Sequence, residues 1–203
     1  MFTFLLLFLS QALAGDRVFY FTGGPVDYQS ERFRNAADEV AKQVRAFGAA
    51  PRFTIMHNSE WEEACLEIKE EYLEGTLGTL VLTGHSWGAV AALEIAECLE
   101  ADPATATIRI PLMITLDIVP KFFRERLPEV IPENVELNYT YYQNVDSWLV
   151  GLTDVHRADG SHRGITVGKR VPSQGSGMPH NRMALDFFTD GSYVKLLSQV
   201  FAK

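Results

Sequence analysis

Five residues, Gly84-His85-Ser86-Trp87-Gly88, join an apolar β-type run, Thr79-Leu80-Val81-Leu82-Thr83, directly to an alanine-rich helical stretch over 88–99. A chain that passes from a buried strand into a helix without a longer loop must turn sharply. Glycine on both sides of the turn is what such crowding demands. The serine at its centre is then held in a strained conformation at the carboxyl end of the strand. The five-residue pattern alone is common. With a strand before it and a helix after it, the pattern marks a turn built to present the serine hydroxyl.

Strand and helix patterns alternate on either side of this turn. Residues 17–22, Arg-Val-Phe-Tyr-Phe-Thr, form a β-branched and aromatic run stopped by Gly23-Gly24-Pro25. From about residue 30, Phe33, Ala37, Val40, Val44 and Phe47 recur in steps of four and three, and Gly48 ends the helix they predict. A short strand is expected over 52–57. Ser59 and Glu62 then have the spacing of a capping box, and Trp61, Cys65, Ile68 and Tyr72 carry the helical step on to Gly75. Further apolar runs cover 108–118, interrupted by Pro111, and 135–143. Residues 183–188 and 193–201 form two helical stretches broken at Gly191. This alternation predicts an α/β fold: a mainly parallel sheet of about five to six strands with helices on both faces and right-handed crossovers. Over 145–180 periodicity fades and Gly, Ser, Asp and His dominate, which reads as one long loop beside the functional site. Within it, Trp148-Leu149-Val150-Gly151-Leu152 fits a lid or an acyl-binding wall, or simply packing for the loop.

The chain has 203 residues, enough for one domain with a substantial core, here 15–203. With 47% hydrophobic and 22% charged residues it has the balance of an ordinary soluble protein. The formal net charge of -8 argues against nucleic acid or an anionic membrane surface as the main partner, since both need clustered Lys and Arg. Residues 1–14, MFTFLLLFLSQALA, are too short to span a bilayer and end in the small-residue pattern Ala12-Leu13-Ala14. They read as a cleaved signal peptide, with a buried first strand as the alternative. The expected location is secreted or periplasmic, and because no Cys follows the apolar run, no stable membrane anchor is expected after cleavage. Cys65 and Cys98 fit either a disulfide in an oxidising compartment or small apolar packing positions. Asp154, His156, Asp159 and His162 crowd four metal-ligating side chains together, but the spacing matches no zinc motif, and neither a metal nor another cofactor is expected. The run Glu62, Glu63, Glu67, Lys69, Glu70, Glu71 reads as a solvated helix face.

On its strand-turn-helix motif and element order, the mature chain resembles the α/β-hydrolase superfamily, specifically small lipase- and esterase-like members without a large cap domain. The resemblance implies a compact α/β-hydrolase fold and a serine hydrolase that cleaves carboxylic esters, lipid esters among them, through an acyl-enzyme on Ser86. A thioesterase or amidase would use the same machinery, and the fold also hosts non-catalytic binding proteins. The presence of serine, acid and histidine argues against that last reading. Members of the superfamily hold the oxyanion with the amide after the nucleophile, here Trp87, and with one from the loop after an earlier strand. Gly24 is the choice for the second, with Val26 the alternative, because Pro25 has no N–H.

A serine hydroxyl needs a base within hydrogen-bond reach. Of five histidines, His57 falls too early in the chain order and His85 sits on the turn itself. His180, in Met178-Pro179-His180-Asn181, follows the last expected strand and occupies the place just before the last helix where the superfamily puts its base, with His156 and His162 as the other candidates. Two positions fit the acid. Asp117, in Leu116-Asp117-Ile118-Val119-Pro120, is similar to the Leu-Asp-Pro-Ala/Val segment of pancreatic-type and related small lipases, with Ile118 in place of the proline. Asp146 ends the next strand, where most other superfamily members carry the acid. The resemblance favours Asp117, and Asp146 is the alternative.

Overall fold

Val18, Phe19, Tyr20 and Phe21 are all buried, because their strand, β1 (Gly15–Thr22), lies inside a sheet with helices on both faces. The computed structural model of the chain describes residues 14–24, 31–119, 130–145, 155–174 and 178–202. Residues 1–13, Val26, Asp146 and the apolar stretch 148–152 lie outside them. After β1 come α1 (Glu31–Arg45), β2 (Arg52–His57), a 3-10 turn (Asn58–Glu60), α2 (Trp61–Leu73), β3 (Leu77–His85), α3 (Trp87–Ala101) and β4 (Leu112–Leu116). Then follow β5 (Val130–Ile131), β6 (Asn138–Tyr142), β7 (His156–Arg157), β8 (Ile165–Lys169), α4 (Pro179–Thr189) and α5 (Ser192–Phe201).

Six strands form one sheet in the order β2-β1-β3-β4-β6-β8, and every pairing in it is parallel. β5 and β7 pair separately. The fold is α/β with a mainly parallel sheet, as the alternation predicts. Along β1 and β3 the side chains divide with period two. Phe19, Phe21, Leu80 and Leu82 enter the core against α2 and α3, while Val18, Tyr20 and Val81 enter the core against α1, α4 and α5. That two-sided burial explains why these strands read as continuous apolar runs rather than alternating ones.

Several expectations shift. The capping box closes two residues earlier than Ser59 and Glu62 would place it: the His57 N–H donates to Glu60 Oε2 at 2.5 Å, His57 Nδ1 accepts from the Ser59 N–H, and α2 begins at Trp61. The glutamate run is only partly solvated. Glu62, Glu63 and Glu70 are exposed, but Glu67 and Glu71 both bind Arg17, which is 2% exposed, and Arg52 at the sheet edge. Arg17 also lies over the Phe19 ring, 4.5 Å from its centroid, so two cations and a ring fix α2 to β1 and β2. The expected loop over 145–180 is interrupted by β8, which pairs with β6 from Asn138↔Ile165 to Tyr142↔Lys169. As an edge strand with Thr166, Val167 and Lys169 exposed, β8 has no second partner to impose an apolar run. Cys65 and Cys98 form a disulfide between α2 and α3, and Cys65 is 1% exposed.

Candidate active site

The strand order reverses direction between β1 and β3, and parallel α/β sheets open a crevice for ligands at the carboxyl ends of the strands flanking such a point. Ser86 stands there, between the end of β3 and the start of α3. It adopts φ 57° and ψ -121°, a conformation that costs a non-glycine residue about 1–3 kcal/mol and persists only when its surroundings impose it. They do. A Cβ on Gly84 would lie 2.0 Å from the Gly88 carbonyl oxygen, and one on Gly88 would lie 2.0 Å from that of Phe21, so the helix can follow the strand this closely only with glycine at both positions. The Ser86 N–H donates to the Leu116 carbonyl at 2.8 Å, which fastens the turn to the end of β4.

Asp117 follows immediately. It too has a positive φ, 49°, and it is fully buried. Its N–H donates to the Tyr141 carbonyl at 2.6 Å. Its carboxylate is held from three directions: Oδ1 accepts from the Gln143 N–H at 3.1 Å, and Oδ2 accepts from Gln143 Nε2 at 3.0 Å and from His180 Nδ1 at 2.6 Å. His180 lies in the first turn of α4, after Pro179, and is 3% exposed. With Nδ1 donating to the carboxylate, a neutral His180 carries its lone pair on Nε2, the tautomer a general base requires. The ring of His85 packs 4.5 Å from that of His180, and His85 Nε2 donates to the His180 carbonyl at 3.0 Å.

The structure thus brings Asp117 and His180 into direct contact, with Ser86 one backbone hydrogen bond from β4. Among the described residues no hydrogen bond joins Ser86 Oγ to His180. His156 lies on β7 and His162 is exposed in the turn beyond it; neither hydrogen-bonds to Asp117, whose histidine partner is His180. Trp87 is the first residue of α3, so its N–H points out of the helix end beside Ser86. Gly24 directly follows Gly23 beyond the end of β1 and is partly exposed. Asp159 caps its own turn, accepting from the Ser161 N–H at 2.8 Å.

Four residues at this site escape the sequence reading. Gln143 holds the Asp117 carboxylate and directly follows β6, the strand beside β4. His85, set aside as a base, supports His180 instead. Gly23 lies so close to Ser86 that a Cβ on it would sit 2.5 Å from Ser86 Cβ. Asn58, buried after β2, donates to the carbonyls of Thr22 and Gly23. The sequence signal for Gln143 and Asn58 is their place just past a strand's carboxyl end, and it becomes informative once the strand order is known.

No protein-family model and no curated protein matches this sequence. Among solved structures, the esterase domain of a Rhodothermus marinus protein superposes with a TM-score of 0.52 at 13% identity, covering 97% of this chain and 90% of that one. The thioesterase of the prodiginine biosynthetic pathway in Streptomyces coelicolor gives a TM-score of 0.45 at 12% identity, over 89% of this chain and 87% of that one. At such identity the likeness to the esterase domain is one of fold.

Proposed function

We propose that this chain, which has an α/β-hydrolase-like fold, is a serine hydrolase that cleaves carboxylic esters through an acyl-enzyme on Ser86. The observation that carries this reading is the strained Ser86 turn standing one backbone hydrogen bond from the buried Asp117–His180 pair. Ser86 Oγ attacks the ester carbonyl carbon, and its proton passes to His180 Nε2. Asp117 accepts from Nδ1 and stabilises the imidazolium that results. The carbonyl oxygen, now negative, is held by the N–H groups of Trp87 and Gly24. When the tetrahedral species collapses, the C–O bond to the alcohol breaks and His180 returns its proton to the leaving oxygen. Water, activated by the same base, then hydrolyses the acyl-serine.

The substrate in this reading is a small-molecule or lipid ester, and the protein works outside the cytoplasm. The disulfide supports an oxidising compartment, and β1 begins at Gly15, directly after the Ala12-Leu13-Ala14 pattern. Among the described residues no helix is long and apolar enough to cross a membrane. The test is a fluorophosphonate probe applied to the parent and to Ser86→Ala, together with turnover of a p-nitrophenyl ester. Labelling of Ser86 and loss of several powers of ten in turnover by the variant are expected. A Ser86→Ala protein within about tenfold of the parent would sink the reading.

A further inference from the structure

The Gly23–Gly24 turn is pressed between two side chains. On one side a Cβ at Gly23 would lie 2.5 Å from Ser86 Cβ and 3.2 Å from Ser86 Oγ. On the other stands Asn58, 5% exposed, whose Nδ2 donates to the Thr22 carbonyl at 3.2 Å and to the Gly23 carbonyl at 3.0 Å. The same nitrogen lies 3.4 Å from His57 Nε2. An amide facing two carbonyl oxygens must turn its NH₂ group toward them, so the orientation of Asn58 is set by its partners.

The Gly23 carbonyl and the Gly24 N–H belong to one trans peptide unit, and in a planar trans unit they point in opposite directions. The sheet order places β1 between β2, which leads into Asn58, and β3, which leads into Ser86. Drawing the Gly23 oxygen toward Asn58 therefore turns the Gly24 N–H toward the Ser86 side. Among the described residues none accepts a hydrogen bond from that N–H. Two consecutive glycines have wide backbone freedom, so this peptide plane would sample other orientations without an anchor.

We propose that Asn58 is the positioning residue of the oxyanion hole: through the Gly23 carbonyl it aims the Gly24 N–H at the oxygen that becomes negative during acyl transfer. The proposal rests on the serine-hydrolase reading and deepens it. Asn58 acts on a donor that matters most in the transition state, so its loss falls on kcat rather than on KM.

The experiment compares the full-length parent with Asn58→Ala on a p-nitrophenyl ester and on a trifluoromethyl ketone, whose carbonyl forms an oxyanion adduct with the serine. Loss of one oxyanion donor costs about 100- to 1000-fold in kcat, so a misaimed donor should cost on the order of 10- to 100-fold, with KM nearly unchanged. Ketone affinity should weaken by the same factor as kcat/KM. A merely structural Asn58 would lower the melting temperature and leave kcat and ketone affinity within about threefold of the parent; that result overturns the assignment. A second measurement needs no variant: a boronic acid adduct on Ser86 should shift the Gly24 amide resonance in the parent, and an unmoved resonance overturns the assignment equally. If the fluorophosphonate fails to label Ser86 in the parent, the hydrolase reading falls and this assignment with it. If the parent is labelled and Asn58→Ala turns over normally, only the assignment falls.

Discussion

Asp117 Oδ2 lies 2.6 Å from His180 Nδ1, although 63 positions of chain separate the two residues. The contact joins the end of β4 to the first turn of α4, and it leaves Nε2 as the imidazole nitrogen that the carboxylate does not engage.

Replacing Asp117 by asparagine keeps the shape of this contact and favours the wrong imidazole tautomer. The expected loss in turnover is about ten-thousandfold, by the precedent of the serine proteases, in a protein that still gives a folded circular dichroism spectrum. Asp146→Asn should cost far less, within about tenfold. The opposite ranking in steady-state assays would transfer the acid's role to Asp146.

Gln143→Ala removes the side-chain donor to Asp117 Oδ2 and leaves the backbone donor to Oδ1 in place. The carboxylate gains freedom to rotate away from His180. Since misplacement of a reacting group by about 1 Å costs on the order of 100-fold, kcat should fall roughly 10- to 100-fold while KM holds. A kcat equal to that of the parent would mean that the backbone bond alone orients the acid.

Tyr193 is buried, and its hydroxyl shares a hydrogen bond of 2.9 Å with Thr83 Oγ1. Burial raises the phenol well above its ordinary ionisation range, with the Thr83 hydrogen bond opposing only in part. In the unfolded chain it ionises near pH 10, while in the folded chain it stays neutral, so the unfolded state binds fewer protons above that pH. Stability is therefore unaffected by this group below about pH 10 and falls by up to about 1.4 kcal/mol per pH unit above it. Tyr193→Phe should lower stability at neutral pH by about 1 kcal/mol, for the lost hydrogen bond. It should also flatten the alkaline decline in denaturant melts; an equally steep decline in the variant would show that other groups cause it.

The Cys65–Cys98 bond closes a loop of sequence separation 33, and restricting the unfolded chain in this way contributes about 3–4 kcal/mol. The double variant Cys65→Ala, Cys98→Ala should melt about 10 °C lower in calorimetry, with turnover of the p-nitrophenyl ester at low temperature close to the parent's.

The parts of the fold legible in the sequence are those where two-sided burial or crowding leaves a local mark. Leu80 to Leu82 and Leu112 to Ile114 are apolar without alternation because helices cover both faces of their strands. The turn at Ser86 is legible because Gly84 and Gly88 are forced. Elsewhere the pattern overreaches or falls short. The run over 108–118 yields a strand only at Leu112–Leu116, since Pro111 has no N–H to pair and Asp117 turns to a positive φ. β8 is missed because one of its edges is solvent. Gln143 and Asn58 act across strands that are neighbours in the sheet but not in the sequence, and no local pattern records that β1 lies between β2 and β3 or that β6 lies beside β4.

The disulfide also makes a covalent ring of the chain from Cys65 to Cys98, and β3, Ser86 and most of α3 lie on it. A protease that cuts anywhere on this ring opens it without releasing a fragment: the severed ends remain one molecule until a reductant separates them. Nicked and whole protein would then migrate alike on a gel run without reductant. The same sample, reduced, would show a probe bound at Ser86 on the carboxyl-terminal piece for cuts before the serine and on the amino-terminal piece for cuts after it. In a compartment rich in proteases, a single cut within the segment that carries Ser86 thus releases no piece of this chain.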